Sequence, residues 1–382
     1  MKRAHVLSGI DRVGDYDGIL KGRRVGLMTN PTGFDHSFRS AIDILHQKYG
    51  LSAMYAVEHG IRGDAQAGDA VGDIVDPATG VTVYSAFGKN SRFTDEMLDA
   101  FDVLVFDIQD VGARFYTYLY SLGYAMEACA RKGKSVMVLD RVNPIGGTRL
   151  EGTVLDPKFS SFVGDYELPT RYGLTIGEFA RYLKGYLKLD LDLTVVPLTG
   201  WERRMYLDDT DLPWAAPSPN CQNLDAALTY IGMCIFEGTN ISEGRGTTVP
   251  FQIAGAPFID GFLLEKEMAK LKIPGLYFRP VSFCPTFSKH EGALCHGVQM
   301  HITDRDVCDT VLGGLLLLET IFRLWPDETE YLSGGEGRFF LDRLLGTDLF
   351  RTGKMDARTL IAHFAPKVRS FEEKSRQYRL YE

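Results

Sequence analysis

Glu58, His59, Arg62 and Asp64 crowd into one stretch, residues 58–64, directly behind a short apolar run. A glutamate at the end of a strand, shielded by apolar neighbours, can serve as the general acid that glycoside cleavage requires. His59 with Asp64 can instead begin a metal site, although no H-x-x-x-H partner accompanies them. A second cluster fills residues 236–247, where Glu237, Asn240, Glu243, Arg245 and Thr247 share a glycine-punctuated loop. Two carboxylates, an amide, a hydroxyl and a guanidinium match what sugar hydroxyls and a carboxylate substituent demand. The same grouping also suits a structured turn whose charges pair with one another. In the aromatic stretch 115–118, Tyr116 offers a sugar-stacking face or a phenol donor, and the other rings read as packing.

Further polar residues stand where apolar runs stop: Asn30, Asp107 with Gln109, and Asp140 with Arg141. Any one of these aspartates could simply cap a following helix. Together with Glu58 they point to one shared edge, because the carboxyl ends of parallel strands line the crevice where ligands bind. No G-x-G-x-x-G, no G-x-x-x-x-G-K-[ST] and no G-x-S-x-G is present, so dinucleotide, P-loop and nucleophile-elbow chemistry lack their signatures. Residues 244–248 look like a phosphate cradle but do not sit between a clear strand and a helix.

The elements that must position these groups alternate. Apolar, β-branched runs at 24–29, 53–57, 81–84, 103–106, 136–139 and 193–196 read as buried strands. Helical periodicity falls at 40–47, 94–100, 116–132 and 176–187, with Thr94 and Thr175 as N-caps. That series predicts an α/β fold, a Rossmann-like, mainly parallel sheet with helices on both faces. Three connections are long, 60–80, 143–174 and 237–257, and are expected to wall the site. After residue 197 the pattern changes. Helices at about 224 onward, 262–271 and 307–325 and strands at 276–283 and 297–302 suggest a smaller α+β domain completing the cleft, so the expected division is 1–200 and 201–382.

The 382 residues carry 45% hydrophobic and 24% charged side chains, ordinary for a globular protein. A net charge of −8 without a Lys/Arg-rich run argues against nucleic acid and requires any anionic substrate to be held by local arginines. Six scattered cysteines lack zinc spacing and read as free thiols, and no cofactor or metal is expected. No apolar run spans a membrane. The first residues hold no signal-peptide pattern, which reads as cytoplasmic as written, or as periplasmic or secreted where a leader has been removed.

Taken in order, stretches 29–33, 58–68, 106–118, 139–141 with Asn143 and Pro144, 217–220 and 236–248 resemble the NamZ-type exo-β-N-acetylmuramidases of peptidoglycan, a family formerly counted as a domain of unknown function. The resemblance implies a Rossmann-like domain, an auxiliary C-terminal domain and a cleft between them. It implies release of N-acetylmuramic acid from the non-reducing end of peptidoglycan fragments, with a small muropeptide or amino-sugar disaccharide as substrate and Glu58 catalytic. On that expectation Glu243 or Glu237, or failing these Asp107, is the second carboxylate. Assistance by the substrate's own acetamido group is the competing mechanism. Arg62 and Arg245 take the lactyl carboxylate, and Asn30, His59, Asp64, Asp107, Gln109, Tyr116, Asp140, Arg141, Asn220, Asn240 and Thr247 contribute to binding. The alternatives are a non-catalytic cell-wall sugar-binding protein and a metal-assisted hydrolase built on His59 and Asp64.

Overall fold

The computed structural model describes residues 3–63, 73–86, 92–335 and 337–382. Its strands in the first half are β1 Val25–Thr29, β2 Leu51–Ala56, β3 Ile74–Val75, β4 Thr82–Ser85, β5 Val103–Asp107, β6 Ser135–Leu139, β7 Glu151–Val154, β8 Pro169–Arg171 and β9 Leu193–Val196. Seven of them form one sheet in the order β3-β4-β2-β1-β5-β6-β9, parallel throughout except where β3 meets β4. All six apolar runs identified in the sequence are strands of this sheet.

Strands β1, β5 and β6 are buried along their whole length, which is why their sequences run apolar without alternation. The period of two still operates, because it sorts side chains between two cores. Val103, Val105, Met137 and Leu139 pack with Ala41, Ile42 and Leu45 of the helix Ala41–Tyr49. Leu104, Phe106, Val136 and Val138 pack on the opposite face with Leu119, Leu122 and Met126 of the helix Tyr118–Lys132. Both expected caps form, with Thr94 accepting from the amide of Met97 at 3.3 Å and Thr175 from that of Glu178 at 3.2 Å.

The chain runs from β1 outward to β2 and β4, then returns to the other side of β1 for β5, β6 and β9. The order therefore reverses between β1 and β5, and the carboxyl ends of β1, β2, β5 and β6 share one edge. The connection 143–174 holds the β7–β8 antiparallel pair rather than a bare loop.

Beyond residue 200, the helix Leu224–Met233 leads into an antiparallel sheet of β10 Ile253–Ala256, β11 Leu276–Phe283 and β12 Cys295–Ile302, in the order β10-β12-β11. The helices Gly261–Lys270 and Thr310–Leu324 follow, and then Ala357–Ser375, a long helix that the sequence reading did not anticipate. One hydrophobic cluster runs from Tyr55 through Leu315 to Phe371, so both halves share a core. The tail returns to the first sheet, where the Tyr381 hydroxyl donates to Asp140 at 2.6 Å and accepts from the amide of Leu198 at 2.8 Å. Among the described residues no helix is long and apolar enough to cross a membrane.

Candidate active site

Strand β2 ends in a tight turn, with His59 at φ 73°, Gly60 at φ 79° and the Gly60 amide donating to the carbonyl of Val57 at 3.0 Å. A left-handed non-glycine residue here is a local cost that the turn imposes in order to project Glu58 at the sheet edge. Thr117 stands at the N-terminus of the helix Tyr118–Lys132 yet makes no side-chain cap. Its hydroxyl instead donates to the Glu58 carboxylate at 2.7 Å. Among the described residues Glu58 has no ion-pair partner.

The opposite wall comes from the second half of the chain. Glu237 lies in the 3-10 turn Cys234–Gly238, and Glu243 and Arg245 lie in the loop beyond it. Arg245 donates to Glu237 through Nε at 3.0 Å and Nη2 at 2.5 Å, and its Nε lies 3.3 Å from Glu243. The ammonium of Lys289 donates to Glu243 at 2.7 Å and to the carbonyls of Phe236 and Ile241. The two carboxylates raise the Arg245 pKa further above its ordinary value despite burial, so this guanidinium is a fixed charge. Gly246, at φ 80°, keeps the loop tight, because a Cβ there would fall 2.5 Å from the carbonyl oxygen of Phe287.

These walls enclose a cleft of about 960 Å³ that Glu58, Glu237 and Glu243 all line. The expected meeting of Glu58 with the acidic loop is therefore observed in the fold. His59, Tyr116, Asn220, Arg245 and Thr247 line it too. Tyr116 packs edge-on against Tyr118 and Tyr230, and burial pushes its phenol pKa well above the usual value, so it stays neutral. The Tyr118 hydroxyl donates to the carbonyl of Pro217 at 2.6 Å and thereby fastens the segment that carries Asn220.

Other expected site residues sit elsewhere. Arg62 does not line the cleft; it forms a two-pronged pair with buried Asp76 at 2.8 and 3.0 Å. Asp107 is fully buried and gripped by Arg141 at 2.6 and 2.8 Å. Burial raises its pKa and the adjacent guanidinium opposes that shift. Asp140 accepts from Thr175, the amide of Gly177 and Tyr381, which makes it a buried anchor between helix, sheet and tail. Asn30 spends its carbonyl oxygen on Thr32, Gln109 donates to two carbonyls, and Asn240 clamps residues 328 and 330. Asp64 lies outside the described residues. Between β1 and β5, where ligands commonly bind in such sheets, Arg141 and Gln109 border a space of only about 30 Å³.

Among the described residues His5, His36 and Asp211 could hold a metal ion, and none of them lines the cleft. Sequence reasoning missed Lys289, which no local motif marks, and the rings of Phe162, Phe287 and Phe340. Thr117 lay inside a quoted stretch, but its contact with Glu58 depends on how the segments after β2 and β5 come together beyond the end of β1.

A family model described as Exo-beta-N-acetylmuramidase NamZ, N-terminal, matches residues 25–225, and its C-terminal counterpart matches residues 228–381. The chain is 47% identical to the peptidoglycan beta-N-acetylmuramidase NamZ of Bacillus subtilis (strain 168), over 100% of this chain and 92% of that protein. The crystal structure of a DUF1343 family protein from Bacteroides fragilis NCTC 9343 is similar with a TM-score of 0.91 at 35% identity, covering 100% of both chains. A second DUF1343 family protein from the same organism gives 0.77 at 30% identity, covering 99% of both chains.

Proposed function

The chain belongs to the exo-β-N-acetylmuramidase NamZ family, and from that premise we propose how its cleft releases N-acetylmuramic acid from the non-reducing end of peptidoglycan fragments. The reaction is a glycoside hydrolysis. The observation that carries the residue assignment is that Glu58, from the parallel sheet, lines the same cleft as Glu237 and Glu243, whose charges are already matched by Arg245 and Lys289.

Glu58 is the general acid. Its contact is a hydroxyl donor rather than a cation, and it gives its proton to the departing glycosidic oxygen. Glu237 is the second carboxylate. Its side chain is 20% exposed where that of Glu243 is 2% exposed, so Glu237 can reach water or the anomeric centre. Glu243, buried between two cations, positions Arg245 and Lys289. Arg245, whose guanidinium has donors left over, receives the lactyl carboxylate, a role expected of it together with Arg62, which Asp76 occupies elsewhere.

The test is Glu58→Gln assayed for free N-acetylmuramic acid. Loss of a positioned proton donor lowers kcat by about 10²–10⁴-fold. Wild-type turnover in a folded Glu58→Gln protein would remove Glu58 from the chemistry.

A further inference from the structure

The polar catalytic wall occupies only part of the cleft. Phe162, Phe287 and Phe340 also line it, and Phe162 is 56% and Phe287 46% exposed. Burying such a ring is worth about 1.5–3 kcal/mol, so exposed rings gathered at one cleft call for an occupant.

Both exposed rings are held in place. Phe162 tops a turn closed by two backbone bonds between Ser161 and Gly164, at 2.8 and 3.0 Å, and it stacks on Phe340 with centroids 6.2 Å apart and an interplanar angle of 18°. Phe287 follows Thr286, whose amide and hydroxyl both donate to the carbonyl of Gly246 at 2.9 Å. After it, Ser288 and His290 adopt φ of 72° and 57°, a strained pair secured by Lys289 on Glu243 and by His290 on the carbonyl of Asn240. The segment that presents Phe287 is thus locked to the loop that carries Glu243 and Arg245.

We propose that Phe162, Phe340 and Phe287 form a subsite for the leaving-group sugar, the saccharide joined to the reducing side of the bond being cut. A flat apolar ring matches the C–H face of a pyranose while the sugar's hydroxyls stay with water. The volume of about 960 Å³ lies near the top of the ~300–1,000 Å³ usual for small-ligand sites, leaving room beyond one amino sugar. The ring pair joins the segment 143–174 to the C-terminal half, so the subsite, like the catalytic carboxylates, needs both parts of the chain. This inference rests on the muramidase reading.

The experiment compares kcat/KM on a muramyl disaccharide with that on methyl N-acetylmuramide, whose leaving group is too small to reach the rings. In Phe162→Ala and Phe287→Ala the disaccharide-to-methyl ratio falls about tenfold, a 1.4 kcal/mol change. In Phe162→Tyr, which keeps a flat ring, the ratio is retained. An unchanged ratio in both alanine variants overturns the subsite, and so does an equal loss in Phe162→Tyr and Phe162→Ala. Glu58→Gln separates the two claims: if it keeps its rate on both substrates the catalytic assignment fails, whatever the ratio does.

Discussion

Two places along the carboxyl edge of the sheet bring a carboxylate and a guanidinium near each other, in direct contact at one and apart across a cleft at the other. At the switch between β1 and β5, Asp107 is fully buried, Arg141 closes over it, and the remaining space is about 30 Å³. One strand further out, Glu58 faces Glu237 and Arg245 across about 960 Å³. The chemical groups are alike. What differs is access: where both partners come from neighbouring strands the pair seals the core, and where they come from different halves of the chain a cleft separates them. In this molecule the usual ligand crevice of a doubly wound sheet is filled by a buried ion pair, and the roomy cleft lies toward β2 and the C-terminal half.

That contrast can be broken from either side. Arg141→Met should cost about 3–5 kcal/mol, because it strands a buried carboxylate, and chemical denaturation reads this directly. Glu58→Gln should leave the unfolding stability within about 0.5 kcal/mol of wild type while turnover collapses. An Arg141→Met protein of native stability without activity would show that the switch-point crevice belongs to the site. A smaller effect is expected at the cleft wall. Lys289→Met deprives two carbonyls and Glu243 of a donor, at about 1–3 kcal/mol, and it should raise KM for substrates with a free lactyl carboxylate. If KM is unchanged, Lys289 serves the loop alone.

The smallest effect is a pH dependence from the sealed side. Burial pushes the carboxyls of Asp110 and Asp140 up to about 6 and about 7, against the usual 3.8. Between about pH 4 and 7 the folded chain therefore holds protons that the unfolded chain has released, and through these groups stability falls as pH rises. The hydrogen bonds that both carboxylates accept keep these values from rising further, and melting near pH 5 should exceed that near pH 8 by a few degrees. Asp140→Asn should narrow the difference.

The six strands, the helices between them and the two caps were legible because burial and capping are local demands, and the alternation implied a mainly parallel sheet; the order of the strands in it came only with the fold. An interior parallel strand must be apolar along nearly all of its length, and a capping side chain must supply an acceptor oxygen. Glu58 and the Glu237–Glu243–Arg245 group were legible for a related reason, since each cluster is contiguous in sequence. Burial could not be read for individual polar tips. Asp107, Asp140 and Arg62 look like Glu58 in the sequence, and only three-dimensional packing turns them toward Arg141, Tyr381 and Asp76. Lys289 and the rings of Phe162, Phe287 and Phe340 belong to no local motif; folding brings them to the cleft from segments far apart in the chain. Sequence by itself determined which chemical groups the chain owns and which strands carry them. The tertiary structure decided which of those groups water and a sugar can reach, because accessibility is a property of the neighbours that a fold supplies.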